Sequence, residues 1–470
     1  MQATSPTLSS QPYQPIYALE DKPAWFPASL AATQHLLAGF VNIIAPAIVI
    51  GTALDLVAYI PFLISASLLV SGLATWIQSQ RIGAVGSGLL SIQGTSFAFV
   101  AALITAGMIA RDRGANDEEI LATLFGISLV GSFIEIAIAG FLPKLRRVIT
   151  PAVAGTIVIL IGLSLIMVGL RDMAGGNGAV NFGSAENMLL AGITIGVVLA
   201  CQLSSRPLLR VGSVFLGLLV GCTVALFMGQ VSAPDFSNTS LFALPVPFAF
   251  GIDFDWVAFI PVGFMFIITS LETVGDITGT SRVSGQPVSG PVFERRVRGG
   301  VLADGINSLL AAVLSTFPDT TFSQNTGVVQ LTGVASRHVG RYVAGILVLL
   351  GLFPFIGVIL QSIPRPVLGA TTFVMFSLIA VSGIQIVGSQ RLGRAQIMGI
   401  ALAIGADVGV QLVPEALNFL PELWQRIFGS AITTGGLLAI IFGAVLPQEG
   451  DSRRKEERAA PDAAEPAMAD

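Results

Sequence analysis

From residue 29 to residue 447 the chain is a succession of apolar runs, most of them about 18–22 residues long, separated by short polar or glycine-rich breaks. A run of that length crosses a hydrocarbon core of roughly 30 Å as an α-helix, so lipid is the solvent this chain is written for. Composition agrees: 53% of the residues are hydrophobic and only 11% are charged, against roughly 25% charged in soluble domains. The expected class is an all-α polytopic membrane protein with the lipid bilayer as its surroundings. A net charge of −4 says little about partners in such a chain, and no basic cluster interleaved with aromatics points to a nucleic-acid partner. Two cysteines, Cys201 and Cys222, both inside apolar runs, and two histidines, His35 and His338, provide neither a metal cluster nor a catalytic centre. The chain is expected not to be an enzyme, and no cofactor or metal is expected.

Fourteen runs can be read, at 29–51, 56–78, 91–110, 120–142, 150–170, 187–204, 211–230, 255–279, 300–316, 322–335, 340–361, 365–387, 395–414 and 429–447. Lysine and arginine test the count, because short cytoplasmic loops carry the excess of positive charge. With a cytosolic N-terminus, nineteen of the 24 fall in segments assigned to the inside; Arg111, Arg113, Arg171, Arg365 and Arg426 make up the five outside. The N-terminal segment, 1–28, has Lys22 as its only cationic side chain and no basic-then-apolar signal pattern, so it is expected to stay in the cytosol. An even number of crossings places the C-terminus there too. Residues 448–470 are charged and rich in alanine and proline, the composition of a disordered tail. The expected location is the cytoplasmic membrane.

Fourteen divides into seven plus seven, and traces of an internal repeat are present. Span 5, PAVAGTIVILIGLSLIMVGL from Pro151, matches span 12, PVLGATTFVMFSLIAVSGIQI from Pro366, with Ser-Leu-Ile at nearly the same offset. Spans seven apart run in opposite directions. Span 3 contains SIQGTSFAF (91–99) and span 10 contains PDTTFSQNTG (318–327), both hydroxyl- and glycine-rich and poor as continuous membrane helices. Interrupted segments at matching positions of inverted halves point to a transporter site near the bilayer midplane. The alternative is that glycine and serine here only let helices pack closely.

Acids at membrane depth are costly and each needs a reason. Glu272 and Asp276, in FMFIITSLETVGDITGT, stand four residues apart and so share a helix face. Both ionised, they repel, so one of them is expected to carry a proton. Asp304, in GGVLADGINS at the start of span 9, is a third acid, and His35 in AATQHLLAGF is either a polar link between helices or a functional group. Glu135 and Asp407 are single acids without a nearby polar constellation in sequence and are left outside the site. Gln324 offers one acceptor and two donors, which match the adjacent acceptor–donor edge of a lactam or purine. Glu272 can accept from a ring N–H on the far side, and free backbone amides near Phe97 or Ser323 can meet ring carbonyls. Phe97 and Phe322 offer flat surfaces to a planar heterocycle or serve as packing.

Gln324-Asn325-Thr326-Gly327, followed by Thr332-Gly333, resembles the signature of the nucleobase–ascorbate transporter family: Gln, Glu or Pro, then Asn, any residue, Gly, four residues, Thr, and Arg, Lys or Gly. QHLLAGFV (34–41), VGSGLLSIQ (85–93), LRRVITP (145–151), LETVGDIT (271–278), GGVLADG (299–305), TGVASR (332–337) and GLFPFIG (351–357) extend the resemblance over nearly the whole chain, and the set is similar to bacterial xanthine and uric acid permeases. The resemblance implies fourteen spans in two inverted repeats of seven, with a short strand in each of spans 3 and 10. It implies a core domain from 29–142 and 255–361, a gate domain from 143–230 and 362–447, and a homodimer formed through the gates. It also implies that Glu272 and Gln324 hold a purine, that Asp304 and His35 support the site and its proton coupling, and that Asn325 affects affinity and specificity. Ser323, Phe322, Phe97 and Ser96 complete the expected ligand shell, with Asp276 in proton coupling and Gly327 and Thr332 as structural members of the motif. In this family glutamine at position 324 goes with xanthine or urate, glutamate with uracil and proline with ascorbate.

One position departs from the pattern. Xanthine-selective relatives usually carry asparagine where this chain has Ser96, and urate-transporting or broader relatives carry a small hydroxyl residue. The expected function is therefore a proton-coupled symporter importing xanthine, urate or both. The alternatives are a uracil or other nucleobase permease, and an anion exchanger of the related fold; the Glu272–Asp276 pair would repel the substrate of such an exchanger.

Overall fold

The computed structural model describes residues 15–445, apart from 146–149, 177, 232, 238–239, 389–391, 422–423, 426–427 and 430. The expected tail, 448–470, and residues 1–14 of the N-terminal segment lie outside the described residues. The chain is mostly helical. In order it forms α1 (Trp25–Ala53), α2 (Ile60–Gln80), β1 (Gln93–Thr95), α3 (Val100–Asp112), α4 (Asp117–Leu145), α5 (Pro151–Met173), α6 (Ala185–Gln202), α7 (Pro207–Val211) and α8 (Ser213–Phe227). It continues with α9 (Trp256–Val283), α10 (Gly290–Val313), β2 (Asp319–Thr321), α11 (Gln324–Thr332), α12 (Val339–Gly351), α13 (Pro354–Gln361), α14 (Arg365–Gly388), α15 (Arg394–Leu412) and α16 (Ala431–Val445). Two units result, one from Met1–Leu142 and Ile166–Met375, the other from Pro143–Leu165 and Phe376–Asp470.

Among the described residues, eight helices are long and apolar enough to cross a membrane: α1, α2 with the turn before it, α4, α5, α6, α9, α14 and α15. Span 11, read as one run, is two helices, α12 and α13, bent by 81° at their junction. Pro354 has no N–H to continue the ladder and opens a new helix instead. Span 9 begins earlier than hydropathy indicates, because α10 starts at Gly290 and carries ERRVR through its first turns. Asp304 therefore sits in the middle of a helix and not at its start.

Spans 3 and 10 are not continuous helices. Each contributes a three-residue strand, paired antiparallel with Gln93 opposite Thr321, Gly94 opposite Thr320 and Thr95 opposite Asp319. All six residues are buried, the condition under which non-helical backbone is tolerated at membrane depth. The ladder is extended by Phe322 N donating to Ile92 O and Ser96 N donating to Pro318 O, both at 3.0 Å. Side chains alternate across a strand, so Gln93, Thr95, Asp319 and Thr321 share one face. Gly94 lies on the other, where a Cβ would run into the Phe322 ring.

An apolar cluster of Leu89, Ala139, Leu142, Ile277, Phe293, Val297 and Val301 joins the C-terminal part of α4 to α9 and α10. Gly131 of α4 packs on the Phe266 ring of α9, and Gly305 of α10 packs on the backbone of α4 at Ile136 and Ser132. Burial of this seam fixes three helices around one polar interior. The segment before α1 is tied to the far end of α11: Tyr17 N donates to Gly333 O at 3.1 Å and Ala335 N to Tyr17 O at 2.9 Å. In the second unit, Gly155 and Gly162 bring α5 against Gly383 and Ala380 of α14.

Candidate functional site

α9 and α11 are joined by two side-chain contacts on one face of α9. Ser323 Oγ donates to Asp276 Oδ1 at 2.6 Å, and one turn later the hydroxyls of Thr280 and Thr326 lie 2.9 Å apart. Glu272 continues the same face one turn in the other direction, ahead of the N-terminus of α11. It is half-buried, with Oε2 lacking a hydrogen-bond partner, and Asp276 Oδ2 lacks one as well. Ser323 and Gln324 are exposed at that N-terminus. The broken segment therefore presents a carboxamide on the side that two carboxylates also face, and a helix N-terminus adds a positive potential there.

Behind this opening His35 and Asn325 are buried and joined, with His35 Nδ1 2.8 Å from Asn325 Oδ1. Asn325 Nδ2 donates to Leu90 O at 2.5 Å, which ties α11 to the chain leading into β1. Phe322 and Phe97 are both 7% exposed. The Phe322 ring fills the space over Gly94 and Gly39, so much of it is occupied in packing. Ser96 is buried, and its hydroxyl accepts from Ala98 N at 3.3 Å, capping the short 3-10 turn Phe97–Phe99 before α3. At the other end of the motif Thr332 Oγ1 donates to Val328 O at 2.8 Å and Gly333 takes the left-handed conformation, φ 70°, that ends α11. A Cβ on Gly327 would meet nothing within 4 Å.

Asp304 is the hub of the polar interior. Its Oδ2 accepts from Thr273 Oγ1 at 2.5 Å and from Thr321 N at 3.2 Å; its Oδ1 accepts from Gln78 Nε2 at 3.0 Å; Thr321 Oγ1 lies 3.2 Å from both oxygens. Gln93 Nε2 donates to Thr321 Oγ1 at 2.6 Å. One carboxylate thus holds α2, α9, α10 and β2 in register. Gln78, Gln93, Thr273 and Thr321 did not stand out in the sequence because they are uncharged and lie within or beside apolar runs. The only signal was the similar hydroxyl-rich text of SIQGTS and DTTFSQ.

The two acids set aside on sequence are provided for differently. Glu135 is fully buried, with Ser270 Oγ 3.4 Å from its Oε1. Asp407, in the second unit, accepts from Ser164 Oγ at 3.2 Å and from Gln411 Nε2 at 3.1 Å. Asp55 is exposed at the end of α1.

Half-length segments meeting as buried strands, with an opened helix end and acids beside it, define a multi-pass membrane transporter and not an enzyme. The Xan_ur_permease model, described as a permease family, matches residues 26–416, and the chain belongs to this family, the nucleobase–ascorbate transporters. It is 45% identical to xanthine permease XanP of Escherichia coli K12 over 449 residues, 94% of this chain and 97% of that one. It is 42% identical to xanthine permease XanQ of the same strain over 436 residues, 92% of this chain and 94% of the other. Among solved structures, the murine Slc26a9 anion transporter in its inward-facing state aligns with a TM-score of 0.56 at 14% identity, covering 90% of this chain and 69% of that one. That likeness is one of fold.

Proposed function

We propose that this protein is a proton-coupled symporter that imports a purine nucleobase, xanthine or urate, across the cytoplasmic membrane. The observation that carries the proposal is the placement of Gln324 at the exposed start of α11 with Glu272 one turn beyond the Ser323–Asp276 contact on α9. A carboxamide on one side and a carboxylate on the other match the donor and acceptor edges of a purine dione. The relatives' names support the same substrate class. Gln324 pairs with the acceptor–donor edge of the ring, Glu272 accepts from the opposite N–H, and the backbone at Phe97 and Ser323 meets ring carbonyls. Ser96 leaves room where a longer amide would reach the ring, which admits urate.

A proton on the Glu272–Asp276 pair relieves the repulsion between the two acids and accompanies the purine inward. Fourteen spans in inverted repeats of seven, with core and gate domains, cytosolic termini and a homodimer, complete the reading. Competition for uptake of labelled xanthine into cells expressing the chain tests it. Xanthine and urate are expected to compete, with uracil and ascorbate ineffective; efficient competition by uracil, or no xanthine uptake despite surface expression, overturns the purine assignment.

A further inference from the structure

The acids facing one another across α4, α9 and α10 are not equally provided for. Asp304 receives the Thr273 hydroxyl, the Thr321 amide and hydroxyl, and the Gln78 amide. Four donors are what an ionised carboxylate needs when it leaves water. Glu135 is 0% exposed and receives almost nothing. Among the described residues its one hydrogen-bond contact is with Ser270 Oγ, 3.4 Å from Oε1, and that hydroxyl's single hydrogen is already committed to Phe266 O at 2.8 Å. Oε2 has no hydrogen-bond partner. An unpaired carboxylate in that position carries a cost of several kcal/mol.

Glu135 is nevertheless held where it is by tight packing. Gly131, one turn before it, lies against the Phe266 ring, and Gly305, next to Asp304, lies against the α4 backbone at Ile136. The charged groups that act on it are Asp304 from α10 and Glu272 from α9. Along α4 itself, the next polar contact with an acid is Thr123 with Asp253, roughly three turns away.

We propose that Glu135 is a coupling residue of this transporter: its Oε2 holds a proton in the resting site and exchanges it with Glu272 as the purine binds and leaves. Asp304 stays ionised between them. The exchange breaks one O–H bond and forms another, so the charge summed over Glu135, Glu272 and Asp304 is the same before and after it; the proton that enters from outside with the purine leaves Glu272 to the lumen with it, and Glu135 holds the site's proton between cycles. Glu135 touches no substrate; it acts through Glu272. This inference rests on the proton-coupled reading above.

The test uses the full-length protein in proteoliposomes carrying an internal pH indicator. Glu135→Gln keeps the shape and the neutral state but cannot release a proton. The wild type is expected to acidify the lumen when xanthine is added outside, while Glu135→Gln retains xanthine binding and loses xanthine-driven acidification. Acidification equal to wild type in Glu135→Gln overturns the proposal. If the wild type takes up xanthine with no acidification, the proton-coupled reading fails instead. A measurement without any variant decides the protonation itself. An apolar carbodiimide adds across a protonated buried carboxyl, and mass spectrometry is expected to find the adduct on Glu135, declining as pH rises, and not on Asp304. Absence of the adduct on Glu135 at acidic pH, or labelling of Asp304 in its place, overturns the assignment of the proton.

Discussion

His35 Nδ1 and Asn325 Oδ1 lie 2.8 Å apart across 290 residues of sequence, and the second contact of the amide decides who donates. Asn325 Nδ2 gives its hydrogen to Leu90 O, so Oδ1 is the acceptor and the imidazole carries its proton on Nδ1. His35 Nε2 is then an acceptor without a partner. One link thus fixes the tautomer of α1's histidine and the entry of α11.

His35→Asn places an amide nitrogen close to where Nδ1 stands, whereas His35→Gln places it near Nε2. The asparagine variant is expected to keep the tie to Asn325 and most of the transport. The glutamine variant leaves a buried acceptor unpaired, at about 1–3 kcal/mol, and is expected to show weaker substrate binding and a lower melting temperature. Equal behaviour of the two variants contradicts the assigned tautomer.

Glu272→Gln removes the charge and the proton acceptor while preserving shape. Uptake of xanthine is expected to fall by more than about tenfold, corresponding to roughly 1.4 kcal/mol or more, and the remainder to lose its dependence on the proton gradient. Wild-type uptake in this variant removes Glu272 from the mechanism.

Gln324→Glu replaces two donors by a second acceptor at the exposed start of α11. Xanthine affinity is expected to drop by about one to two orders of magnitude, the range of one or two hydrogen bonds to a charged or unpaired group. Competition by uracil relative to xanthine is expected to rise. An unchanged ratio between the two ligands refutes the role given to the carboxamide.

Gly94→Ala tests the floor of the site. The added Cβ meets the Phe322 ring and Ile43 of α1, so the ring must turn away or the strands must part. A destabilisation of about 1–3 kcal/mol is expected, as for overpacked cores, together with weakened substrate binding read by isothermal titration. Removing the ring as well, in Gly94→Ala with Phe322→Ala, is expected to recover stability relative to the single glycine variant.

Much of the candidate site was legible because membrane burial makes polar residues conspicuous. Glu272, Asp276, Asp304 and His35 stood out as ionisable groups among apolar neighbours, and the breaks at 91–99 and 318–327 marked the two strands. What hydropathy did not indicate was neutral or lay across the fold. Gln78 reads as the polar edge of a span yet bonds Asp304, 226 residues away. Glu135 has no polar constellation near it in sequence, and its setting depends on how Gly131 and Gly305 bring three helices together. Hydropathy also placed Asp304 at a helix start, because it registers where apolar composition begins and not where the backbone ladder does. Residues 15–21 read as a plain polar leader, but a run of backbone bonds joins them to the chain just past α11, and such bonds leave no trace in side-chain composition.

The proposed coupling makes purine entry and proton entry one event at the start of α11. Uptake of labelled xanthine and luminal pH, recorded together in proteoliposomes of the wild-type protein, test it most directly. Acidification is expected to follow purine uptake in time, to be driven by xanthine or urate but not by uracil, and to vanish with a protonophore along with accumulation. Xanthine accumulation that is indifferent to the proton gradient and leaves luminal pH unchanged would contradict it.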